Sequence, residues 1–152
     1  MSLYQFFLFI HILAVVVWIG GGIAVSILAF RAQRAGDLQV ISGAAADAEW
    51  LGQRVFMPAA IVVLGAGLAL VATGHVTFQP MWIKLGLAGI ILSAVTGAAF
   101  LGPQSGKVKQ LIAENADRST IDQRIARVLL VARVDLVILV AVILDMVAKP
   151  GS

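Results

Sequence analysis

Four long apolar runs alternate with short polar stretches along the chain, covering about residues 3–30, 50–73, 81–101 and 127–147. A helix crosses a bilayer core of about 30 Å in roughly 20 residues, so each run is long enough to span. The pattern predicts an all-α fold, an integral membrane four-helix bundle forming a single membrane domain over residues 1–152. No Lys or Arg precedes Arg31, and the first run is longer than a signal-peptide core, so it reads as a retained span.

The polar stretches carry helix signals of their own. In "GDLQVISGAAADAEWLGQRVF", Asp37 follows Gly36 as an N-cap, and a helix from there would enter the membrane near Trp50. Pro58 predicts a kink in that helix. "GPQSGK" is expected to end the third span. "KVKQLIAENA" would form a short amphipathic helix with Val108, Leu111 and Ile112 on one side, and "STID" reads as a capping box opening the fourth helix at Ser119. Solvated connectors are the alternative for both stretches, and no internal repeat stands out. Small residues recur at intervals of four at Gly22 and Ser26, and again at Gly89, Ser93 and Gly97, with Gly20, Gly21, Gly65 and Gly67 nearby. Such faces let helices approach closely, within the bundle or against a second copy or another membrane protein.

Composition agrees with this pattern: 61% of residues are hydrophobic and 12% charged, with a mean hydropathy of +1.00. The absence of cysteine excludes disulfides, thiolate metal sites and iron–sulfur clusters. A net charge of +3 does not point to nucleic acid, because the basic residues flank the apolar runs. Arg31, Arg34 and Arg54 surround the first connection, and Lys107, Lys109, Arg118, Arg124 and Arg127 the third. The middle connection, "GHVTFQP", has neither Lys nor Arg. The positive-inside rule then places the first and third connections in the cytoplasm and both termini outside it.

Polar groups inside a bilayer need a partner or a task. Here they are His11, Lys84, Arg133, Asp135 and Asp145, with His75 just beyond the membrane. At about 1.5 Å per residue, His11 lies roughly 12 Å below one surface and Asp135 roughly 12 Å from the other, levels that would let them meet. Tyr4, His11 and Trp18 recur every seven residues and share a helical face. That face suits a flat ligand beside an imidazole, or ordinary packing. One or two histidines are enough for a haem and too few for a multi-histidine metal cluster. Lys84 and Arg133 are candidate partners for propionates, Asp135 for orienting His11 or passing protons, and His75 for a second, weaker iron ligand. Lys84 equally reads as a snorkelling interface residue, and Arg133 and Asp135 as structural pairs with other helices.

"LYQFFLFIHILAVVVWIGGGIAVSILAFRA" resembles the first span of a bacterial family of four-helix membrane proteins of unknown function. That family is similar to copper-resistance D-type proteins and to haem-containing membrane protoporphyrinogen IX oxidases. The resemblance rests on His11, Trp18, Gly20 and Gly21, and on Trp82, Lys84 and Leu85 opening the third span. It implies a bacterial inner-membrane protein with a haem b or copper-related role, and carries His11 and Lys84 into the functional centre. The oxidase relatives tend to have a further histidine in the third span, where this chain has Ser93 and Thr96. Its four methionines form no clustered thioether motif for copper. The leading expectation is haem b held by His11 for a redox role. A transport path along His11, Asp135 and Arg133, and a structural or assembly subunit, remain open alternatives.

Overall fold

The computed structural model describes residues 1–74 and 79–149. Four antiparallel helices account for nearly all of them: α1 (Leu3–Ala35), α2 (Leu38–Thr73), α3 (Met81–Ala113) and α4 (Arg118–Ala148). The predicted all-α membrane bundle is therefore observed. α1, α2 and α3 are long and apolar enough to cross a membrane. α4 has similar length but carries Arg133, Asp135 and Asp145 within its apolar half. It packs along α3 and α1 as the fourth member of the bundle.

The helices are longer than their apolar runs. At about 1.5 Å per residue they reach roughly 45–55 Å, against about 30 Å of hydrocarbon. The excess lies at the arginine-rich end, where the stretches weighed as connectors are helical. Asp37 is the expected N-cap and accepts from the Gln39 N–H at 2.8 Å. Gly36, at φ 73°, ends α1 in the left-handed conformation that favours glycine. Val108 is buried, packed with Ala32, Ile41, Ile121, Ile125 and Leu129 in a core of its own. Arg118 closes this end by donating to the Gly36 carbonyl at 2.7 Å. The "STID" capping box does not form: α4 starts at Arg118, one residue before Ser119, with Asp117 at the cap position and no side-chain cap bond.

Pro103 does not end the third helix. α3 continues through it by a π-helical segment, Gly97–Leu101, and α2 passes Pro58 in the same way with Gly52–Phe56. A proline removes one helical N–H and crowds the carbonyl four residues back. Here the residue before each proline bonds five back instead: Met57 N–H to the Gly52 carbonyl, Gly102 N–H to the Gly97 carbonyl. "GQRVFMP" and "GAAFLGP" are thus one local device used twice, a glycine six residues before a proline. The two π segments touch each other across the bundle.

A second core fills the half nearer the termini, with Trp18, Ala59, Ala60, Val63, Ile90 and Leu139. Large residues of α1 meet small ones of α2 with a shared spacing of seven. A Cβ on Gly74 would sit 3.0 Å from Tyr4, and one on Gly67 would sit 3.4 Å from His11. Trp18 and Ala60 belong to the same core. Packing therefore absorbs the face formed by Tyr4, His11 and Trp18.

Candidate functional site

Between the two cores lies a cavity of about 950 Å³ whose walls come from all four helices. It extends along α1 from Trp18 to Ala32, roughly 20 Å. Small residues make the space: Gly22, Ala29, Ala44, Ala48, Gly97 and Ala132 all face it. Both π segments line it through Gly52, Gln53, Phe56, Gly97, Ala98 and Leu101. π-helical turns are rare and concentrate at functional sites. Several wall residues are also exposed on the outer surface: Gln53, Met57 and Ile61 on α2, Val95 and Ala98 on α3. They rim a lateral opening between α2 and α3, facing the lipid.

The polar focus of the cavity is Asp135. It is 8% exposed, and its Oδ2 accepts from the Ser93 hydroxyl at 2.9 Å. Its Oδ1 is buried without a hydrogen-bond partner. Among the described residues that line the cavity, the charged ones are Asp135 and Glu49; none is Lys, Arg or His. Glu49 pairs with Lys109 at 3.0 Å, so Asp135 is the unmatched acid.

Residues 5–150 match the family described as predicted integral membrane protein (DUF2269). The chain belongs to that family. No curated protein and no solved structure matches it. This DUF2269 protein is thus a multi-pass membrane protein whose relatives carry no assigned activity in their family description.

The residues expected to form one centre are dispersed in this DUF2269 protein. His11 is half-buried against α2, with Nδ1 donating to the Val63 carbonyl at 3.0 Å. It does not line the cavity. Gly22 of α1 packs on Leu136 of α4, beside Asp135. His11 is therefore roughly 16 Å along the axis from Asp135, and the expected approach between them does not occur. Equal depths from opposite surfaces misled because the Leu3 and Arg127 levels lie roughly 40 Å apart along the bundle, more than the about 30 Å of a bilayer core. Trp18 alone of the cofactor set lines the cavity. Lys84 is exposed near the start of α3. Arg133 is exposed lower down, its guanidinium 5.9 Å from the Phe30 ring centre. Asp145 lies against Gly86 at the end nearer the termini. His75 lies outside the described residues. No group of three or more metal-ligating side chains occurs among the described residues. Sequence reasoning missed Ser93 as the partner of Asp135, and the paired glycine–proline spacing that marks the cavity level.

Proposed function

We propose that this protein binds an elongated, largely apolar molecule that enters from the bilayer between α2 and α3. The cavity carries this reading: a large, mostly apolar space bounded by all four helices and open sideways past Gln53, Met57, Ile61, Val95 and Ala98. Ligand sites are concave, mostly apolar and fitted with few oriented polar groups. The reading is one of binding; the one hydroxyl–carboxylate pair in the wall, Ser93 with Asp135, has its hydroxyl residue fully buried. The test is thermal unfolding in mild detergent with a long-chain alcohol as probe. Wild type should gain several degrees, since ligand at about a hundredfold over its dissociation constant adds about 2.7 kcal/mol. Gly97→Leu fills the cavity, where a Cβ meets nothing within 4 Å, and should abolish the gain. An equal shift in both proteins overturns the reading.

Haem b held by His11 is the second reading. The Val63 contact favours it, because a proton on Nδ1 leaves Nε2 of a neutral ring as a lone pair. The set as a whole does not fit. Lys84 and Arg133 lie roughly 16 Å apart along the axis, and neither adjoins His11. The cavity wall offers propionates no cation, since its charged residues are Asp135 and the Lys109-paired Glu49. The expected result is a colourless protein from cells supplied with a haem precursor. A Soret band lost in His11→Ala would restore the haem reading.

We further place the arginine-rich end in the cytoplasm of a bacterial inner membrane, with both termini on the other side. The chain has no cysteine, so Ser2→Cys and Glu114→Cys each introduce one thiol. An impermeant maleimide applied to intact spheroplasts should label Ser2→Cys and spare Glu114→Cys; the reverse result inverts the topology.

A further inference from the structure

The lateral opening lies where the apolar runs of α2 and α3 give way to polar sequence. On the arginine-rich side of Val55, α2 reads "DAEWLGQR"; past Leu101, α3 reads "GPQSGK". This edge of the opening is therefore level with lipid headgroups, and the rest of it with acyl chains. Arg54 stands at the edge: it directly follows the rim residue Gln53 and is exposed. It is the one charged residue within 50–58 and 95–103, the two stretches that frame the opening there. Neither ion pair among the described residues, Lys109–Glu49 and Arg118–Asp122, includes it. Just inside the rim the way is clear, since a Cβ on Gly52 or Gly97 would meet nothing within 4 Å. The interior does not choose the head of a ligand. Asp135 is bonded to Ser93 with its other oxygen closed off, and Glu49 is paired with Lys109. Selection of a head therefore falls to the rim, where the charge is positive and unopposed.

Resting on the binding reading above, we propose that the ligand is an anionic phospholipid of the leaflet at the arginine-rich end. Its phosphate pairs with the Arg54 guanidinium outside the rim, and one acyl chain passes Gln53 and Met57 into the cavity. The planar guanidinium matches two phosphate oxygens at once, and such charge-assisted pairs are the strong ones. The head stays in the headgroup layer, so no charge is carried into the apolar space. An uncharged long-chain molecule could fill the same cavity without Arg54, which separates this proposal from the cavity reading.

The reporter is Trp18, in the cavity wall and 8% exposed, in a background carrying Trp50→Phe and Trp82→Phe. Nanodiscs of phosphatidylcholine are doped with phosphatidylglycerol or phosphatidylcholine brominated near the head end of one acyl chain. Bromine in bulk lipid gives both series the same linear background, and the site adds a saturable part. Phosphatidylglycerol should half-saturate at about a fifth of the mole fraction, the preference one basic residue at a membrane surface supplies. Arg54→Gln should bring the two curves together. Arg133→Gln should leave them apart, although it removes the same charge at nearly the same level. Phe56 of α2 and Leu136 of α4 both meet α1 at Gly21 and Gly22, but Arg133 lies against Phe30, away from the opening. Equal curves before any arginine is changed, or a preference that survives Arg54→Gln, would overturn the anionic lipid and leave the cavity reading intact. A preference lost equally with Arg133→Gln would also overturn it, because the whole basic end would then be responsible. No saturable quenching by either lipid overturns the proposal as well; if a brominated long-chain alcohol also fails to saturate, the cavity reading falls with it. The comparison of the two lipids needs no arginine variant, so a folding defect in Arg54→Gln would not obscure it.

Discussion

Gly89→Val should lower the unfolding free energy by about 2–3 kcal/mol and loosen α3 from α4. A Cβ built on Gly89 overlaps Cγ2 of Val142 directly, with Ile138 also within van der Waals reach. Val142 is β-branched and stiff at χ1, so it cannot swing clear as a flexible side chain would. Lipid adds nothing hydrophobic to hold the helices together; their attraction depends on close contact, and separation forfeits it. Gly89→Ala should cost less but retain the sign, and Val142→Ala should recover much of the loss in a double variant, because the two sites touch. Gly97 lies two turns along the same small-residue stripe and should behave oppositely. Its Cβ would meet nothing within 4 Å, so Gly97→Ala removes a flexible residue from a helix and should stabilise by about 0.5–1 kcal/mol. The measurement is the midpoint of unfolding by SDS in mixed micelles for each variant. Equal effects at Gly89 and Gly97 would contradict the division of the stripe into a packed seam and a cavity wall.

That division explains what sequence could reach. The spacing of Gly89, Ser93 and Gly97 announces a small-residue face, but not whether another helix or a void lies against it. Hydropathy located all four helices because bilayer and helix share one length scale. It missed their continuation, since residues 102–113 are polar by composition and helical through tertiary contact: Val108 is buried only because Ile41, Ile121 and Ile125 surround it. Pro58 and Pro103 were legible as perturbations. That each is accommodated by a π segment, with a glycine six residues earlier as its first residue, follows a spacing outside the familiar helix-capping rules. His11 drew notice as a polar group in an apolar helix. Its satisfaction by the Val63 carbonyl depends on the register between α1 and α2, which one sequence does not fix. Asp135 drew notice for the same reason, but its partner lies on α3 and the space before it is made by residues notable for lacking side chains.

Ser93→Ala and Asp135→Leu should move stability in opposite directions. Ser93→Ala removes the donor to Asp135 Oδ2 at a site with no solvent access, leaving both carboxyl oxygens unpartnered. Stranding a buried polar group costs about 1–3 kcal/mol, and a charged one more, so the midpoint of unfolding should fall accordingly. Asp135→Leu deletes the stranded group itself. The new side chain gains apolar neighbours one turn away at Leu139 and Ala132, and the adjoining space admits its extra volume without overpacking. Ser93 then turns its hydroxyl to the carbonyl one turn back on its own helix, as serine does within apolar helices. The expected gain is about 1–3 kcal/mol, the reverse of the Ser93→Ala loss. A carboxylate kept where leucine would be more stable is the signature of a site that trades stability for binding. If Asp135→Leu instead unfolds the protein, the acid is a structural member of the α3–α4 seam, and Ser93 and Asp135 belong with Gly89 as packing. If it stabilises the bundle, the acid is carried at a cost that packing of the α3–α4 seam does not require.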